Sequence, residues 1–359
     1  MIGNRGESVR QRMAAEGVDA LVLLGLPNIR YLCGFTGTDG LLIVTSAESF
    51  FLTDSRYVTQ AQSQVCADQL VCYKNKLLKL VEVLTENKLK RVGFDAEAMS
   101  VATYNELSVL AGGNIEWYPL SEQLRSLRSI KSKDELYHLR QAASLNRQAF
   151  EEILPKIQPG ISERQIALEL EFALKCRGGE VNAFDFIVAS GERGSLPHGV
   201  ASEKLLRAGE LVTIDFGTRV AGYHSDETVT LALGGIDGKL RQIFDIVLKA
   251  HDLALAAVRP GLLISELDAV ARDYIADKGY AAYFGHGLGH GVGLEIHEYP
   301  SVSVKTTEPL QEGMVITIEP GIYVPGTGGV RIEDTIMVTA TGYELITAIP
   351  KQFTQLVVS

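Results

Sequence analysis

The chain has 359 residues, of which 46% are hydrophobic and 22% are charged, and it carries a formal net charge of −10. This composition predicts a globular protein with a sizeable core, and the length favours two domains over one. The negative charge argues against nucleic acid and anionic membranes as partners, because both bind to basic surfaces.

The first residues are charged and lack the apolar stretch of a signal peptide. No apolar run reaches the roughly 20 residues that cross a bilayer. The four cysteines are scattered, without the spacing of a zinc site or a redox pair. We therefore expect a cytoplasmic protein with reduced cysteines and no membrane partner.

The first third of the chain alternates between helical and strand-like patterns. A helix is predicted over residues 8–19, and a buried strand over residues 19–26 that ends at Pro27. Two further strands are predicted over residues 40–45 and 49–53, and helices with one more strand follow up to about residue 120. This order is typical of a small α/β domain.

A basic, serine-containing stretch near residues 125–133 is interpreted as the linker, so the predicted domains are residues 1–124 and 125–359. Beyond the linker, residues 157–179 resemble residues 258–280. In each copy, Pro-Gly precedes a helix of about four turns that ends at glycine. The second domain is therefore predicted to contain two equivalent halves about a pseudo-twofold axis. The alternative is a chance similarity of two ordinary helix–strand units.

The repeat carries an acid at the end of an apolar run in both copies. LRAGELVTIDFG (206–217) recurs as LQEGMVITIEPG (310–321), which aligns Asp215 with Glu319. A buried carboxylate is costly unless it is paired or coordinates a metal ion. The two acids are therefore predicted to face each other across a metal site on the axis of the duplication.

Each half supplies a second acid. A hairpin with its turn at residues 220–221 would place Asp226 directly opposite Asp215, where like charges are destabilising without a cation between them. In the second half, Glu333 lies 14 residues after the repeated acid and shares a strand face with Arg331. The alternatives to a metal site are an exposed acid pair on the hairpin and a surface Arg–Glu pair.

Two segments contain most of the histidines: SLPHG with His198, and HGLGHGVGLEIHEYP with His286, His290 and His297. The glycines of the second segment disfavour a helix, and the HExxH pattern is absent, so a zinc helix is not predicted. Alternating glycines would instead let the backbone approach an ion or ligand closely. One histidine is predicted to be a ligand, with the others lining the cleft. The histidines interpreted as ordinary core or surface residues are His138, His224 and His251.

Four carboxylates and one imidazole form a hard, oxygen-rich donor set. Such a set suits Mn²⁺, Co²⁺, Fe²⁺ or Zn²⁺ with open coordination positions, and argues against a closed structural zinc site. Because carboxylates bridge ions well, a two-metal site with ions about 3.5–4 Å apart is predicted. The expected chemistry is hydrolysis at a carbonyl or phosphoryl centre.

The motifs IDFG, SDET, GHGVG with HEYP, TIEPG and RIED resemble those of the pita-bread metallopeptidases. Near the N-terminus, NIRYLCGFTG and LTDSRY are similar to the N-terminal domain of the aminopeptidase P and prolidase branch. The resemblance implies an α/β (α+β) fold, in which a small N-terminal α/β creatinase-like domain precedes a C-terminal pita-bread catalytic domain with an internal pseudo-twofold duplication.

The resemblance also implies a role for each candidate site residue. The implied metal ligands are Asp215, Asp226, His290, Glu319 and Glu333. Glu319 is expected to accept the proton of the nucleophile and to deliver it to the leaving nitrogen. His198 and His297 are expected to orient the scissile unit and to stabilise the tetrahedral intermediate. His286 and Arg331 are expected near the substrate.

The implied activity is metal-dependent hydrolysis of Xaa–Pro bonds at the N-terminus of peptides, of the aminopeptidase P type, by a metal-bound hydroxide. Xaa–Pro dipeptidase (prolidase) is the alternative. A non-catalytic pita-bread binding protein and a metal-free hydrolase such as creatinase are disfavoured, since the ligand set is intact. The implied cofactors are two divalent ions, with Mn²⁺ preferred over Co²⁺ or Zn²⁺. The implied partners are a proline-containing peptide and a second copy of the chain.

Two positions depart from the pattern of the relatives. Many of them carry Arg where Val229 stands, which changes the charge near the ligands but removes no ligand. Several small prolidases carry Arg where Ser301 stands. If that Arg recognises the C-terminal carboxylate of a dipeptide, its absence favours longer substrates, and therefore aminopeptidase P over prolidase.

Overall fold

The structure is a computed structural model that describes residues 2–356. The chain forms two compact units, Met1–Leu127 and Arg128–Ser359. Among the described residues, no helix combines the length and the apolar character needed to cross a membrane.

The first unit consists of helices around a mixed sheet. Its helices are α1 (Gly3–Glu16), α2 (Leu26–Cys33), α3 (Val58–Gln64), α4 (Lys76–Glu86), α5 (Val101–Ala111) and α6 (Glu122–Arg125). Its strands are β1 (Ala20–Leu23), β2 (Leu41–Thr45), β3 (Ser49–Asp54), β4 (Gln69–Tyr73), β5 (Arg91–Asp95) and β6 (Glu116–Leu120). They are ordered β4-β3-β2-β1-β5-β6, with β1 antiparallel to β2 and parallel to β5.

Strand β1 is buried on both faces. Leu21 and Leu23 belong to a core with residues of α1, α2 and α3, whereas Ala20 and Val22 belong to a core with residues of α4 and α5. Because successive side chains of a strand point to opposite faces, a strand covered on both sides reads as the continuous apolar run ALVL. The sheet therefore has helices on each face.

The sequence-based boundaries at the start of this unit are wrong in two places. The first helix covers Gly3–Glu16, not residues 8–19, and β1 ends at Leu23. Helix α2 was not predicted; it begins at Leu26, with Pro27 in its first turn. Proline is favoured there because the first N–H groups of a helix have no intrahelical partner, so Pro27 belongs to the start of a helix and not to the end of the strand.

In the second unit, the apolar faces of four long helices pack against two sheets. Its α-helices are α7 (Lys133–Ile153), α8 (Glu163–Cys176), α9 (Gly238–Ala257) and α10 (Ile264–Asp277). Short 3₁₀ helices lie at Leu154–Lys156, Gly191–Ser195 and Ala281–Tyr283, and a further one, Ser126–Arg128, spans the end of the first unit and the start of the second. The strands are β7 (Ile187–Ser190), β8 (Leu211–Phe216), β9 (Arg219–Val220), β10 (Tyr223–His224), β11 (Glu227–Leu233), β12 (Gly289–Gly291), β13 (Glu298–Val302), β14 (Val315–Ile318), β15 (Gly321–Val324), β16 (Gly328–Arg331), β17 (Asp334–Val338), β18 (Tyr343–Leu345) and β19 (Gln355–Leu356).

The duplication seen in the sequence is present in the arrangement of these elements. Helices α8 and α10 contain 14 residues each and begin 101 positions apart, at Glu163 and Ile264. One sheet has the order β19-β11-β8-β7 and the other β13-β12-β14-β17-β18. In each sheet a central antiparallel pair, β8–β11 or β14–β17, is accompanied by a short two-stranded ribbon, β9–β10 or β15–β16.

Each half has its own hydrophobic core. Residues of α7 and α8 pack against β7, β8 and β11 in one core, and residues of α9 and α10 pack against β14 and β17 in the other. The candidate site residues Asp215, Asp226, Glu319 and Glu333 lie in or beside the central strands of the two sheets. Packing of the two halves therefore decides the geometry of the site.

Candidate metal centre

The hairpin of the first half turns at Ala221 and Gly222, one residue later than predicted. Both residues have positive φ, 47° and 79°, and Val220 pairs with Tyr223 across the turn. A two-residue turn with two positive φ values is of type I′, which matches the twist of the flanking strands. The predicted turn at residues 220–221 is therefore wrong.

A shift of one residue in the turn moves the pairing of the strands by two. Asp215 is opposite Thr228, not opposite Asp226. Continuing the same register places Asp226 opposite Gly217, between β8 and the ribbon. Asp226 and Thr228 are two residues apart and share a strand face, so Asp226 is a diagonal neighbour of Asp215.

In the second half the two acids are directly opposed. Ile318 of β14 pairs with Asp334 of β17, and continuing this register by one residue places Glu319 opposite Glu333. The register is kept in the ribbon, where Gly321 pairs with Arg331. Glu319 directly follows β14, and Glu333 directly precedes β17.

Carboxylates from both halves meet in one buried cluster. One carboxylate oxygen each of Asp215, Asp226 and Glu333 lies within 4.8 Å of the other two. The residues are 8%, 5% and 1% exposed. Among the described residues, Asp215 Oδ1 and Glu333 Oε1 are buried oxygens without a hydrogen-bond partner.

This cluster fits a divalent cation. Burial raises the pKa of Asp226 and of Glu333 well above the ordinary values, and the neighbouring carboxylates raise both pKa values further. Burial also raises the pKa of Glu319. Closely spaced buried carboxylates with unpartnered oxygens are stabilised by a hard cation, which prefers oxygen donors.

His290 connects the cluster to Glu319. Its Nε2 atom lies 3.5 Å from Asp226 Oδ2 and 3.3 Å from Glu319 Oε1, and its Nδ1 atom donates to the carbonyl of Gly291 at 3.0 Å. Burial lowers the pKa of His290, which favours the neutral ring. With Nδ1 protonated toward a carbonyl, Nε2 carries a lone pair directed at the carboxylates, as metal-ligating histidines require.

The glycines on either side of His290 lie against neighbouring strands. A Cβ atom on Gly289 would lie 2.1 Å from the carbonyl oxygen of Thr317, and one on Gly291 would lie 2.5 Å from that of Tyr299. These carbonyls belong to the neighbouring strands β14 and β13. The glycines therefore allow strands β14 and β13 to approach the backbone beside His290 closely, and the close approach of this backbone to an ion or ligand stays a prediction.

The other predicted histidines surround this group. The ring of His297 contacts that of His290 edge-on, with 4.3 Å between their centroids, and burial together with His290 lowers the pKa of His297. His286 Nε2 is 2.9 Å from the hydroxyl of Tyr323, and burial lowers the pKa of His286. His198 is exposed in the loop after the 3₁₀ helix Gly191–Ser195.

Arg331 joins the two halves beneath the cluster. Its Nη2 atom donates to Asp215 Oδ2 at 2.5 Å, and Nη1 donates to the Tyr323 hydroxyl and to the Pro197 carbonyl, both at 3.0 Å. Its Nε atom donates to the hydroxyl of Thr228 at 3.2 Å. The side chain is only 4% exposed, so the surface Arg–Glu pair considered above is excluded.

Thr228 and Tyr323 were not predicted as parts of the site. The Thr228 hydroxyl donates to Glu333 Oε2 at 2.6 Å, which links the first half to an acid of the second. Thr228 could have been recognised, because it shares a strand face with Asp226. Tyr323 carries no comparable signal, since an aromatic residue in a strand is ordinary core.

A second charged network lies behind the ligand-bearing strands. Lys351 Nζ is 2.6 Å from Glu227 Oε1 and 3.4 Å from Asp334 Oδ1, and His251 Nε2 is 3.2 Å from Asp334 Oδ2. Although burial lowers it, the carboxylates of Asp252 and Asp334 raise the pKa of His251. Glu227 and Asp334 follow Asp226 and Glu333 in the chain and point away from the cluster.

Comparison with known proteins agrees with these observations. Residues 137–340 match the Metallopeptidase family M24, and residues 5–130 match the Creatinase/Prolidase N-terminal domain. The Xaa-Pro dipeptidase of Pyrococcus horikoshii is 37% identical over 349 residues, which are 97% of this chain and 97% of that protein.

Two solved structures extend the comparison. The Xaa-Pro dipeptidase from Bacillus anthracis superposes with a TM-score of 0.96 at 40% identity, over 99% of this chain and 100% of that one. The X-Pro aminopeptidase from Thermotoga maritima superposes with a TM-score of 0.90 at 32% identity, over 98% and 100%. These matches confirm the predicted fold, a creatinase-like N-terminal domain followed by a pita-bread domain. The chain belongs to metallopeptidase family M24.

Proposed function

We propose that this protein is an Xaa–Pro dipeptidase that depends on divalent metal ions. The cluster of Asp215, Asp226 and Glu333, completed by His290 and Glu319, is the observation that carries the metallopeptidase function. The similarity to dipeptidases over nearly the whole chain supports the Xaa–Pro substrate.

The dipeptidase has better support than the aminopeptidase P activity that Ser301 suggested from the sequence. The dipeptidase from Bacillus anthracis is more similar in both sequence and structure than the aminopeptidase from Thermotoga maritima. Ser301 pairs with His290 in the ladder between β12 and β13 and is exposed. Its short side chain is compatible with either substrate length.

The five residues assigned to the metal ions supply the donors that such ions prefer. Asp215, Asp226, Glu319 and Glu333 offer carboxylate oxygens, and His290 offers its Nε2 atom. When bound, two divalent ions would lower the pKa of a water molecule and polarise the scissile carbonyl. Mn²⁺ remains our preferred ion, with Co²⁺ or Zn²⁺ as alternatives.

Glu319 is suited to hold and move the proton. Its carboxylate accepts a hydrogen bond from the Thr317 hydroxyl at 3.0 Å, whereas the carboxylate of Asp215 accepts one from the charged Arg331. Burial raises the pKa of Glu319, which favours proton uptake by this group. Glu319 therefore accepts the proton of the nucleophile and returns it to the proline nitrogen.

The histidines at the edge of the cluster act on the substrate. The lowered pKa of His297 favours its neutral ring, which can donate one N–H group to the carbonyl oxygen on which negative charge develops. His198, exposed on its loop, orients the scissile unit. His286, held by Tyr323, and Arg331, held by Asp215, keep the walls of the site in place.

Hydrolysis of Gly-Pro and of a Gly-Pro-Xaa tripeptide, with and without added Mn²⁺, tests this function. We expect turnover only with the metal ion, and a higher kcat/KM for the dipeptide. A higher kcat/KM for the tripeptide would favour the aminopeptidase. No turnover of either peptide by metal-loaded protein would contradict the peptidase function altogether.

A further inference from the structure

Glu163, the first residue of helix α8, is a fully buried acid outside the metal cluster. Its carboxylate accepts hydrogen bonds from the backbone N–H of Ser190 at 2.8 Å and from the Ser190 hydroxyl at 2.8 Å. It also accepts bonds from the N–H of Ser202 at 3.2 Å and the Ser202 hydroxyl at 2.6 Å. Arg193 forms an ion pair with it. One carboxylate thus binds both ends and the interior of the segment 190–202.

This segment is the loop that carries His198. Arg193, while paired with Glu163, donates from Nη2 to the carbonyl of Val200 at 2.8 Å. On the other side of His198, the carbonyl of Pro197 accepts from Arg331 at 3.0 Å. The backbone on each side of the exposed His198 is therefore held by the charged side chains of Arg193 and Arg331, and the imidazole itself is accessible to a substrate.

The second half contains the same device. Asp268 on α10 is fully buried, and its Oδ1 atom accepts from the N–H of Leu288 at 2.9 Å. Arg272, paired with Asp268, donates to the carbonyls of Phe284 at 3.1 Å and His286 at 2.7 Å. In both halves, a fully buried acid on the repeated helix pairs with an arginine, and together they hold a loop that carries a histidine.

A purely structural role would not require a buried acid at this position. Burying a charge costs free energy, and apolar residues often stabilise a core equally well. What Glu163 supplies is several directed bonds to one loop, which fixes its position. Resting on the proposed function, we propose that Glu163 is a positioning residue that sets the place of His198 for binding of the scissile Xaa–Pro unit, independently of the metal ions.

The test is Glu163→Gln in the metal-loaded, full-length protein, because Gln keeps the size but loses the charge that pairs with Arg193. We expect kcat/KM for Gly-Pro to fall about tenfold to a hundredfold, as small displacements of a substrate-orienting group do. The dissociation constant of Mn²⁺, measured by calorimetry, should stay within about twofold, since Glu163 contacts no residue of the cluster.

A double-mutant cycle separates positioning from general damage. If Glu163 acts through His198, Glu163→Gln should have little further effect on kcat/KM in a His198→Ala background. Full additivity of the two losses, or weaker Mn²⁺ binding in Glu163→Gln, would overturn the inference. Glu169→Gln is the matched control on the same helix, because Glu169 pairs with Lys156 at the surface; it should leave both kcat/KM and the dissociation constant of Mn²⁺ unchanged.

Two further measurements keep the inference testable on its own. Ser202→Ala removes a single hydrogen bond to Glu163 and serves if Glu163→Gln fails to fold; it should show the same pattern with a smaller loss. Hydrogen exchange of residues 191–201 should be faster in either variant. If the wild-type protein did not hydrolyse Gly-Pro, the proposed function would fail, and unchanged exchange would then overturn the inference as well.

Discussion

The two halves of the second unit repeat the strand that carries the first acid but differ in the strand that faces it. Opposite Asp215 stands Thr228, and opposite Glu319 stands Glu333. Opposite the two repeated glycines, Gly217 and Gly321, stand Asp226 and Arg331 respectively. The residue of the second half that is structurally equivalent to Asp226 is therefore Arg331, not Glu333.

These differences between equivalent positions, Asp226 against Arg331 and Thr228 against Glu333, explain how a duplicated scaffold forms an asymmetric site. A symmetric copy of the first half would leave Asp215 without a cation and the second half without an opposed acid pair. Instead, Arg331 pairs with Asp215 across the halves, and the Thr228 hydroxyl serves both Arg331 and Glu333. Glu319 accepts its hydrogen bond from the neutral Thr317 hydroxyl instead. The division of roles between the repeated acids is thus decided by the facing strands.

The largest effect should come from removing the second acid of either half. Asp226→Asn and Glu333→Gln each replace an anionic donor with a neutral amide. Because changing the neighbours of metal ligands costs about 10–100-fold, we expect kcat/KM to fall more than about 100-fold in both variants, with weaker Mn²⁺ binding in titration calorimetry. Glu312→Gln, at an exposed acid of the repeat, is the control. Near-normal metal binding in either variant would refute its role as a ligand.

Arg331→Met should break the link between the halves. The variant leaves Asp215 buried without its cation, and losing one partner of a buried ion pair costs about 3–5 kcal/mol. We expect urea unfolding of the metal-free protein to show a loss of this size, and Mn²⁺ to restore part of it. An unchanged free energy of unfolding in the metal-free variant would contradict this role of Arg331.

Much of this comparison could be read from the sequence. The repeat, the four acids, the histidine segments and the order of domains all carry local signals. The register did not, because it depends on the positive φ of Ala221, a residue without special preference for that conformation. Contacts between distant positions were also invisible: Thr228 meets Glu333 across 105 residues, and Lys351 meets Glu227 across 124.

Acidity offers a third way to probe the two halves. Asp226 and Glu333 have raised pKa values, so these two groups hold more protons in the folded metal-free protein than in the unfolded chain at pH values above the ordinary carboxyl range. Their contribution to stability should therefore fall as pH rises, whereas Mn²⁺ affinity should increase by up to about tenfold per pH unit for each proton displaced. Calorimetry in buffers of different ionisation enthalpy counts these protons; affinity independent of pH would contradict the raised pKa values.

Thr228→Val tests the hydroxyl that both halves share. Valine keeps the shape of threonine but leaves Glu333 Oε2 and Arg331 Nε without this partner. Since a lost hydrogen bond to a buried charged group costs about 1.5–3 kcal/mol, we expect a corresponding decrease in the free energy of unfolding, measured in urea. Thr230→Val is the comparison variant. Thr230 lies two residues further along β11, on the same face, and its hydroxyl contacts the Thr213 hydroxyl and the backbone carbonyl of Arg331 but no charged side chain. An equal effect of the two variants would show that Thr228 has no special function at the cluster.

The smallest expected effect concerns the turn at Ala221 and Gly222, which sets the register of the first-half hairpin. Ala221→Asn creates an Asn-Gly pair, which is the preferred sequence of a type I′ turn, because asparagine tolerates positive φ better than alanine. We expect the free energy of unfolding to increase by about 0.5–1 kcal/mol, with no change in Mn²⁺ affinity. Inserting one glycine after Ala221 should do the opposite, because a three-residue loop like that of β15–β16 favours a different pairing. If the insertion left metal binding intact, the position of Asp226 would not depend on the register of this hairpin.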